Sequence, residues 1–445
     1  MPQTRRTLLK LFTTGAVVVA AGHRPTVGRD TEGGARVIPV PEPRIARFEE
    51  LAYGMFVHWG VFSLMGQCVG AMHPGRFPLE DYKRQVPRFT AKEFNPRAWA
   101  ATARRSGMRY MTLTARQHDG FSLYDTRGLS DYDAVHVGPG RDLVAEFVEG
   151  CRAEGIEPFL YHTTYDWYQP SFTQDFDAYL EYLHKSIEVL CTYYGKLGGF
   201  WFDGNWSKRD ADWKEDRLYS IIRRLQPEAV IINNTGVDAP GALGHPEVDC
   251  VTFEQSHPTR MDRQGAAKYV AAEMCESMNS HWGITPNDYN YLSPKGIIED
   301  LCACRGVGAN LLLNIGPTPE GRLPAYESAA FERAGGWVDR HAEPIYKGKP
   351  TAVRGPGRDF AVQVDDRLFL FVHDILPRPG EHVVTGVAGH GPRVFAGVDR
   401  PVRSVRWMDN GEELKFERGD DDMLTVHVTP YPPGVNMVVR VAEVR

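Results

Sequence analysis

Between Ile45 and His341, short apolar runs alternate with stretches in which apolar residues recur every three or four positions, the rhythm of strands joined by amphipathic helices. Eight runs predict strands: Tyr53–Trp59, Arg109–Thr114, Glu157–Thr163, Gly199–Asp203, Ala229–Asn233, Cys250–Glu254, Glu276–Ser280 and Ala309–Ile315. Phe176, Tyr179, Leu183, Ile187 and Leu190 form one buried helical stripe between the third and fourth of them. Such alternation builds a parallel sheet with crossover helices, and eight strands close it into a barrel. The expected fold is therefore α/β, with a (β/α)8-like barrel over residues 45–345. Beyond Gly348 the rhythm changes to strand-like alternation in Asp359–Val364, Arg367–His373, Val402–Met408 and Val435–Val444, broken by Gly and Pro. That pattern predicts an antiparallel β-sandwich over 346–445 that buttresses the barrel.

The amino-terminal pattern is different again. Arg5-Arg6-Thr7-Leu8-Leu9-Lys10 leads into an apolar stretch that ends at Ala21, too short for an ordinary transmembrane helix. Residues 1–22 are expected to be a twin-arginine export signal, cut somewhere around Ala20 to His23, and to direct the protein to the periplasm or outside the cell. No cysteine near that point suggests a lipid anchor, so no membrane attachment is expected after cleavage. Residues 23–44, rich in Gly, Pro and Arg without apolar periodicity, are expected to be a disordered linker.

Composition narrows the function. A net charge of −6 spread along 445 residues, without a basic block, gives no support to nucleic-acid binding. Nine tryptophans and nineteen tyrosines suit either a packed core or the gripping of apolar sugar faces. Seven scattered cysteines, an odd number, do not form a disulfide framework, and Cys302-Ala-Cys304 lacks the second ligand pair of a zinc site.

In a barrel of this kind, the site lies at the carboxyl ends of the strands. There the sequence places His58-Trp59-Gly60, Gln117-His118-Asp119-Gly120-Phe121, His162 with Asp166 and Trp167 beyond it, Asp203, and Glu254. In Gly198-Gly199-Phe200-Trp201-Phe202-Asp203-Gly204 an apolar run ends on a carboxylate, and the next helical pattern begins near Asp212, too far on for Asp203 to be its cap. Held on stiff backbone beside aromatic rings, with a glycine to let a ligand approach, Asp203 is a candidate nucleophile. One histidine alone is ordinarily a packed structural residue, but His58, His118 and His162 share equivalent strand ends. Their spread over about a hundred residues gives no paired metal spacing, so no metal and no other cofactor is expected. Neutral imidazoles there would donate hydrogen bonds to sugar hydroxyls, with Trp59, Trp167 and Trp282 against the ring. No Gly-rich phosphate loop and no Gly-x-Ser-x-Gly elbow is present, which argues against nucleotide and esterase chemistry.

Assembled, these motifs resemble the α-L-fucosidases of glycoside hydrolase family 29 over roughly residues 45–345. The resemblance rests on Met55-Phe56-Val57-His58-Trp59-Gly60, Leu113 to Phe121, Tyr132-Asp133, Gly140-Arg141-Asp142-Leu143-Val144, Trp201-Phe202-Asp203-Gly204, Ile231-Ile232-Asn233-Asn234 and Asn310 to Pro317, in the family's order. It implies a retaining hydrolase of fucosylated glycans or oligosaccharides, built as a barrel with a carboxyl-terminal β-sandwich. Asp203 takes the nucleophile's place, and His58 and His118 take positions that hydrogen-bond fucose. Trp201, within the nucleophile motif, is expected to contact the sugar. Glu254 is the best match to the acid/base and Glu247 the runner-up; burial and the Asp203 charge are expected to raise the pKa of whichever acts. A retaining pair stands about 5–5.5 Å apart. The chain departs from the family at Gln117, where a histidine is usual, and at His162, where a tyrosine is usual, both expected in the sugar-contacting layer. These departures leave two alternatives open: a related sugar such as an α-L-galactoside, or a sugar-binding protein without catalysis.

Overall fold

The computed structural model describes residues 37–73, 75–234, 237, 239–375, 391–431 and 438–445. The twin-arginine segment and residues 23–36 of the expected linker lie outside them, as does the start of the expected strand Val435–Val444. From Ile38 onward the chain forms one compact unit. Helix Pro43–Leu51 already includes Arg44, so ordered structure begins just before the expected end of the linker.

Eight parallel strands close into a barrel in sequence order: β1 Tyr53–Val57, β2 Tyr110–Arg116, β3 Glu157–Thr163, β4 Gly199–Asp203, β5 Val230–Asn233, β6 Cys250–Glu254, β7 Ala271–Glu276 and β8 Asn310–Ile315. Along each strand successive side chains point to opposite faces. Phe56, Tyr110, Phe159, Tyr161, Trp201, Val230, Ile232, Cys250, Ala271, Cys275 and Leu312 pack together as the barrel interior. The intervening residues, such as Val57, Leu160, Phe202, Ile231, Val251 and Leu313, join the larger core outside the barrel, shared with the helices. Glycine makes room for the big inward rings: a Cβ on Gly54 would stand 2.4 Å from the Tyr110 ring, and one on Gly199 2.5 Å from that of Phe159.

The seventh strand corrects the expectation of Glu276–Ser280. It runs from Ala271 to Glu276, paired from Cys250↔Ala271 on one side and Glu273↔Asn310 on the other. Two alanines and a buried carboxylate hid its alternation. Glu273 faces inward and accepts hydrogen bonds from the Tyr110 hydroxyl at 2.5 Å and from Trp201 Nε1 at 2.9 Å.

Helices Pro96–Arg105, Leu143–Ala153, Phe176–Tyr193, Glu215–Leu225, Pro294–Val307 and Ala325–Arg340 cover the barrel. Among the described residues, the connections from β5 to β6 and from β6 to β7 contain no helix. The β5–β6 seam is held by the single register pair Ile232↔Cys250. Asp249, fully buried at the start of β6, reinforces it by accepting the Ile231 N–H at 2.9 Å.

Among the described residues, the carboxyl-terminal part holds eight antiparallel strands: β9 Lys349–Arg354, β10 Phe360–Val364, β11 Arg367–His373, β12 Gly391–Phe395, β13 Val405–Trp407, β14 Phe416–Arg418, β15 Leu424–Val428 and β16 Val439–Val444. A five-stranded sheet (β13-β16-β11-β10-β9) faces a three-stranded one (β12-β15-β14). Alternation explains both contacts of the larger sheet. Leu368, Leu370, Ala442 and Val444 pack toward the smaller sheet, while Phe369, Phe371, Val439 and Val441 join the core of the barrel's helices. Trp337 Nε1 donates to Val439 O at 2.7 Å across that junction.

Candidate active site

A cavity of about 780 Å³ opens at the carboxyl ends of the barrel strands. It contains both expected carboxylates and most of the expected sugar-binding residues: Asp203, Glu254, His58, Gln117, His118, Trp201 and Trp282 line it. Tyr161 and Asn234, which the sequence reading did not assign to the site, line it as well.

Asp203 closes β4 two residues after the inward Trp201, so the pleat turns it inward too. Its Oδ1 accepts from Trp206 Nε1 at 2.9 Å, and its Oδ2 from the Tyr161 hydroxyl at 3.1 Å. Its carbonyl accepts the Thr164 N–H at 2.7 Å, which fixes the backbone. A short 3-10 helix, Asn205–Lys208, follows with Gly204 at its N-cap, and the next α-helix starts at Glu215 with Lys214 at its N-cap, so Asp203 caps neither. Gly204 serves packing rather than ligand approach. At φ +125°, a Cβ there would stand 2.6 Å from Tyr165 N in the loop after β3.

Glu254 closes β6 in the same way. Its Oε2 accepts from Asn234 Nδ2 at 2.7 Å, and the same nitrogen lies 3.5 Å from Asp203 Oδ1. Asn234 is itself oriented, because its Oδ1 accepts from the Thr252 hydroxyl at 2.7 Å. One amide nitrogen therefore touches both acids. Burial first, and the Asp203 charge second, push the Glu254 carboxyl up to about 7, although bonds from Asn234 and Trp282 oppose the shift.

The two inward histidines are neutral near pH 7. Burial lowers His58 to about 3; its Nδ1 pairs with Asn314 Oδ1 at 2.7 Å, which accepts, so His58 Nε2 is an acceptor, not the expected donor. His118 is also lowered, by burial against the opposing pull of Asp203. The Thr163 hydroxyl gives its proton to Tyr165 O at 2.6 Å, so His118 Nδ1, 2.6 Å away, donates to Thr163 Oγ1. That leaves His118 Nε2 as a second acceptor, 3.6 Å from Asp203 Oδ2. A sugar hydroxyl between these groups meets acceptors on more than one side.

Three expected residues lie elsewhere. Trp59 is fully buried among Phe89, Phe94 and Trp99, donating Nε1 to Thr318 O at 2.8 Å. It follows the inward His58 by one residue and so faces the opposite way. His162 follows the inward Tyr161 in the same way. It is fully buried outside the barrel, with Nδ1 on Thr163 O at 2.7 Å and Nε2 on the Tyr124 hydroxyl at 3.2 Å, so this departure from the family is not in the sugar layer. Glu247, the alternative acid, is paired with Arg223 on the outside of the barrel at 3.1 Å and does not line the cavity. Trp167, by contrast, does line it. Among the described residues, no group of three or more His, Cys, Asp or Glu side chains is arranged to hold a metal ion, and no helix is long and apolar enough to cross a membrane.

The chain is similar to known proteins in sequence and fold. The family model described as Alpha-L-fucosidase matches residues 40–343. The tissue alpha-L-fucosidase of Homo sapiens is 28% identical over 341 residues, covering 70% of this chain and 71% of its own. That of Rattus norvegicus is 26% identical over 337 residues, covering 69% and 71%. Among solved structures, alpha-L-fucosidase isoenzyme 1 from Paenibacillus thiaminolyticus superposes with a TM-score of 0.76 at 28% identity, over 90% of this chain and 98% of that one. With the barrel, the strand-end acids and a family match spanning most of its length, the chain belongs to the alpha-L-fucosidase family of glycoside hydrolases.

Proposed function

We propose that the protein releases terminal α-L-fucose from glycans or oligosaccharides with retention of configuration, through a covalent intermediate on Asp203. The observation that carries this reading is the Asn234 amide nitrogen in contact with both carboxylates. The two oxygens it touches are separated by no more than the sum of those contacts, short of the about 6.5–9.5 Å that an inverting pair keeps open for water. Asp203 attacks the anomeric carbon while Glu254, protonated because its carboxyl is raised to about 7, gives its proton to the leaving oxygen. Glu254, now ionised, then takes a proton from the water that cleaves the glycosyl ester. Asn234 keeps the two acids in register through both steps. His58 and His118 accept hydrogen bonds from sugar hydroxyls, and Trp201 and Trp282 offer apolar faces.

The test is the product. Nuclear magnetic resonance of an α-L-fucoside digest should show the α-anomer first, and a mechanism-based fucosyl fluoride should label Asp203; initial release of the β-anomer would overturn the proposal. Because Gln117 lines the cavity at a position where the family resemblance implies histidine, aryl α-L-galactoside belongs beside the fucoside in that assay. Residues 1–22 support a second part of the reading, export by the twin-arginine route. Changing Arg5 and Arg6 to lysine should then leave the protein inside the cell, and unchanged export would remove this part alone.

A further inference from the structure

The Tyr161 hydroxyl stands between two oxygens, Gln117 Oε1 at 2.8 Å and Asp203 Oδ2 at 3.1 Å. The orientation of the Gln117 amide is set by a third group. The backbone N–H of His118 donates to the same Oε1 at 2.8 Å, and a flipped amide would turn N–H against N–H there. Both neighbours of the phenol are thus acceptors, yet a phenol carries one proton. Burial and the charge of Asp203 keep that proton on Tyr161 by raising its pKa well above the ordinary range. Tyr161 and Gln117 are 1% and 4% exposed, so the contest is between these two oxygens.

Which oxygen wins depends on the state of Asp203. An ionised acceptor holds a hydrogen bond roughly twice as strongly as a neutral one. As a free carboxylate Asp203 draws the phenolic proton, with Gln117 as a close rival. Once bonded to the sugar carbon it is a neutral ester, and the amide oxygen becomes the better acceptor. When the ester breaks and charge returns to Asp203, the hydroxyl can turn back toward it.

We propose that Gln117 is a positioning residue that acts through Tyr161: by competing for one phenolic proton it sets the balance between formation and hydrolysis of the glycosyl-enzyme. The inference rests on the retaining reading above. In the first step, a proton partly withdrawn to Gln117 leaves Asp203 less solvated and a stronger nucleophile. In the second, its return stabilises Asp203 as a leaving group. The Gln117 amide nitrogen is left without a protein partner among the described residues and is free for the sugar, which concerns binding rather than this balance.

The two steps separate with aryl α-L-fucosides of differing leaving-group acidity, followed before the steady state at saturating substrate. Gln117→Leu commits the proton to Asp203, so formation should slow roughly tenfold while hydrolysis does not slow. Tyr161→Phe removes the proton, so hydrolysis should slow by a similar factor, and Gln117→Leu should change the ratio no further in that background. Gln117→Glu retains the bond to His118 and competes harder for the proton, so it should move the ratio of the two rates opposite to leucine. Damaged packing cannot reverse sign in this way. Equal slowing of both steps, or a leucine effect undiminished in Tyr161→Phe, overturns the inference alone. Absence of any Asp203 adduct overturns the retaining reading and this inference with it.

Discussion

Strand β6 is flanked by a carboxylate at each end, Asp249 fully buried and Glu254 half-buried, and the two are treated in opposite ways. At its base, Asp249 is fully buried among cations: Arg44 at 3.1 Å, Arg223 at 2.6 Å and Lys268 at 2.8 Å. Burial works to raise its pKa, but the bond from Arg44 and the charges of Arg223 and Lys268 hold it below the ordinary range. At its mouth, Glu254 has an asparagine, a tryptophan and a second acid as neighbours, and its pKa climbs to about 7. The same strand thus holds one carboxylate that is permanently charged and one poised to exchange a proton near neutrality. Charge compensation makes Asp249 a clamp on the seam between β5 and β6, and its absence leaves Glu254 suited to the acid role proposed for it.

Removing a carboxylate at each end breaks the comparison most directly. Asp203→Ala should lower turnover of an aryl α-L-fucoside by on the order of 10⁴-fold or more, with the melting temperature unchanged or raised, because a like charge beside Glu254 is gone. Asp249→Ala should do the reverse. It leaves three cations partly unpaired and an Ile231 N–H without its acceptor, a cost of about 3–5 kcal/mol in urea unfolding, with kcat of the folded fraction retained. If Asp249→Ala abolished turnover without loss of stability, the division of labour between the ends would be wrong.

The next effect is smaller and depends on pH. On the proposed mechanism Glu254 is protonated in the first step, so kcat/KM should fall as pH rises through about 7, and Glu254→Gln should remove that limb at a cost of about 10²–10⁴-fold for a poor leaving group. Stability follows with a definite sign. Between the ordinary glutamate value of 4.5 and about 7 the folded state binds the proton more tightly, so Glu254 costs stability progressively as pH rises through that window. Glu254→Gln should therefore be more stable than the parent by roughly 1–3 kcal/mol at pH 8 and equal to it at pH 4. Asp249 has the opposite slope: its contribution is full above 3.8 and is lost as pH falls through its depressed folded value. Parallel pH profiles for Glu254→Gln and Asp249→Asn would refute the contrast.

Much of this was legible in the sequence. Hydrophobic rhythm placed seven of the eight barrel strands within a few residues, and strand ends named both carboxylates that line the cavity. What went wrong was facing. His58 and Trp59 share a strand end, as do Tyr161 and His162; the sequence reading assigns both members of the first pair to the site and, of the second, His162 but not Tyr161. Two-residue alternation from Phe56 and Phe159 separates them: His58 and Tyr161 turn inward, and Trp59 and His162 turn out. Alternation from Ile232 likewise selects Asn234 over Asn233, whose amide instead donates to the Tyr219 hydroxyl at 2.8 Å. Strand β7 was displaced because its inward carboxylate Glu273 is stabilised by Tyr110 and Trp201, partners far away in sequence. In the sandwich, β9, β12, β14 and β15 are missing from the expected strands: β9, β12 and β14 are largely exposed edge strands with little apolar signal, whereas β15 is central and alternates, with Leu424, Val426 and Val428 buried.

The smallest predicted effect bears on which acid is which. Glu247 lies close to Asp249 in sequence and shares its partner Arg223, whose Nε it contacts at 3.1 Å while Arg223 Nη2 binds Asp249 at 2.6 Å. Its side chain is 48% exposed, so water solvates it whether or not the pair forms. Arg223 keeps the Glu247 and Ala229 carbonyls and Asp249 when the Glu247 side chain is removed. Glu247→Ala should therefore cost at most about 0.5 kcal/mol, lost in high salt, and leave kcat/KM and its basic limb within twofold of the parent. A basic limb that vanished in Glu247→Ala but survived in Glu254→Gln would move the proton donor to the outer wall. The contrast along β6 would then describe two structural carboxylates rather than a clamp and an acid.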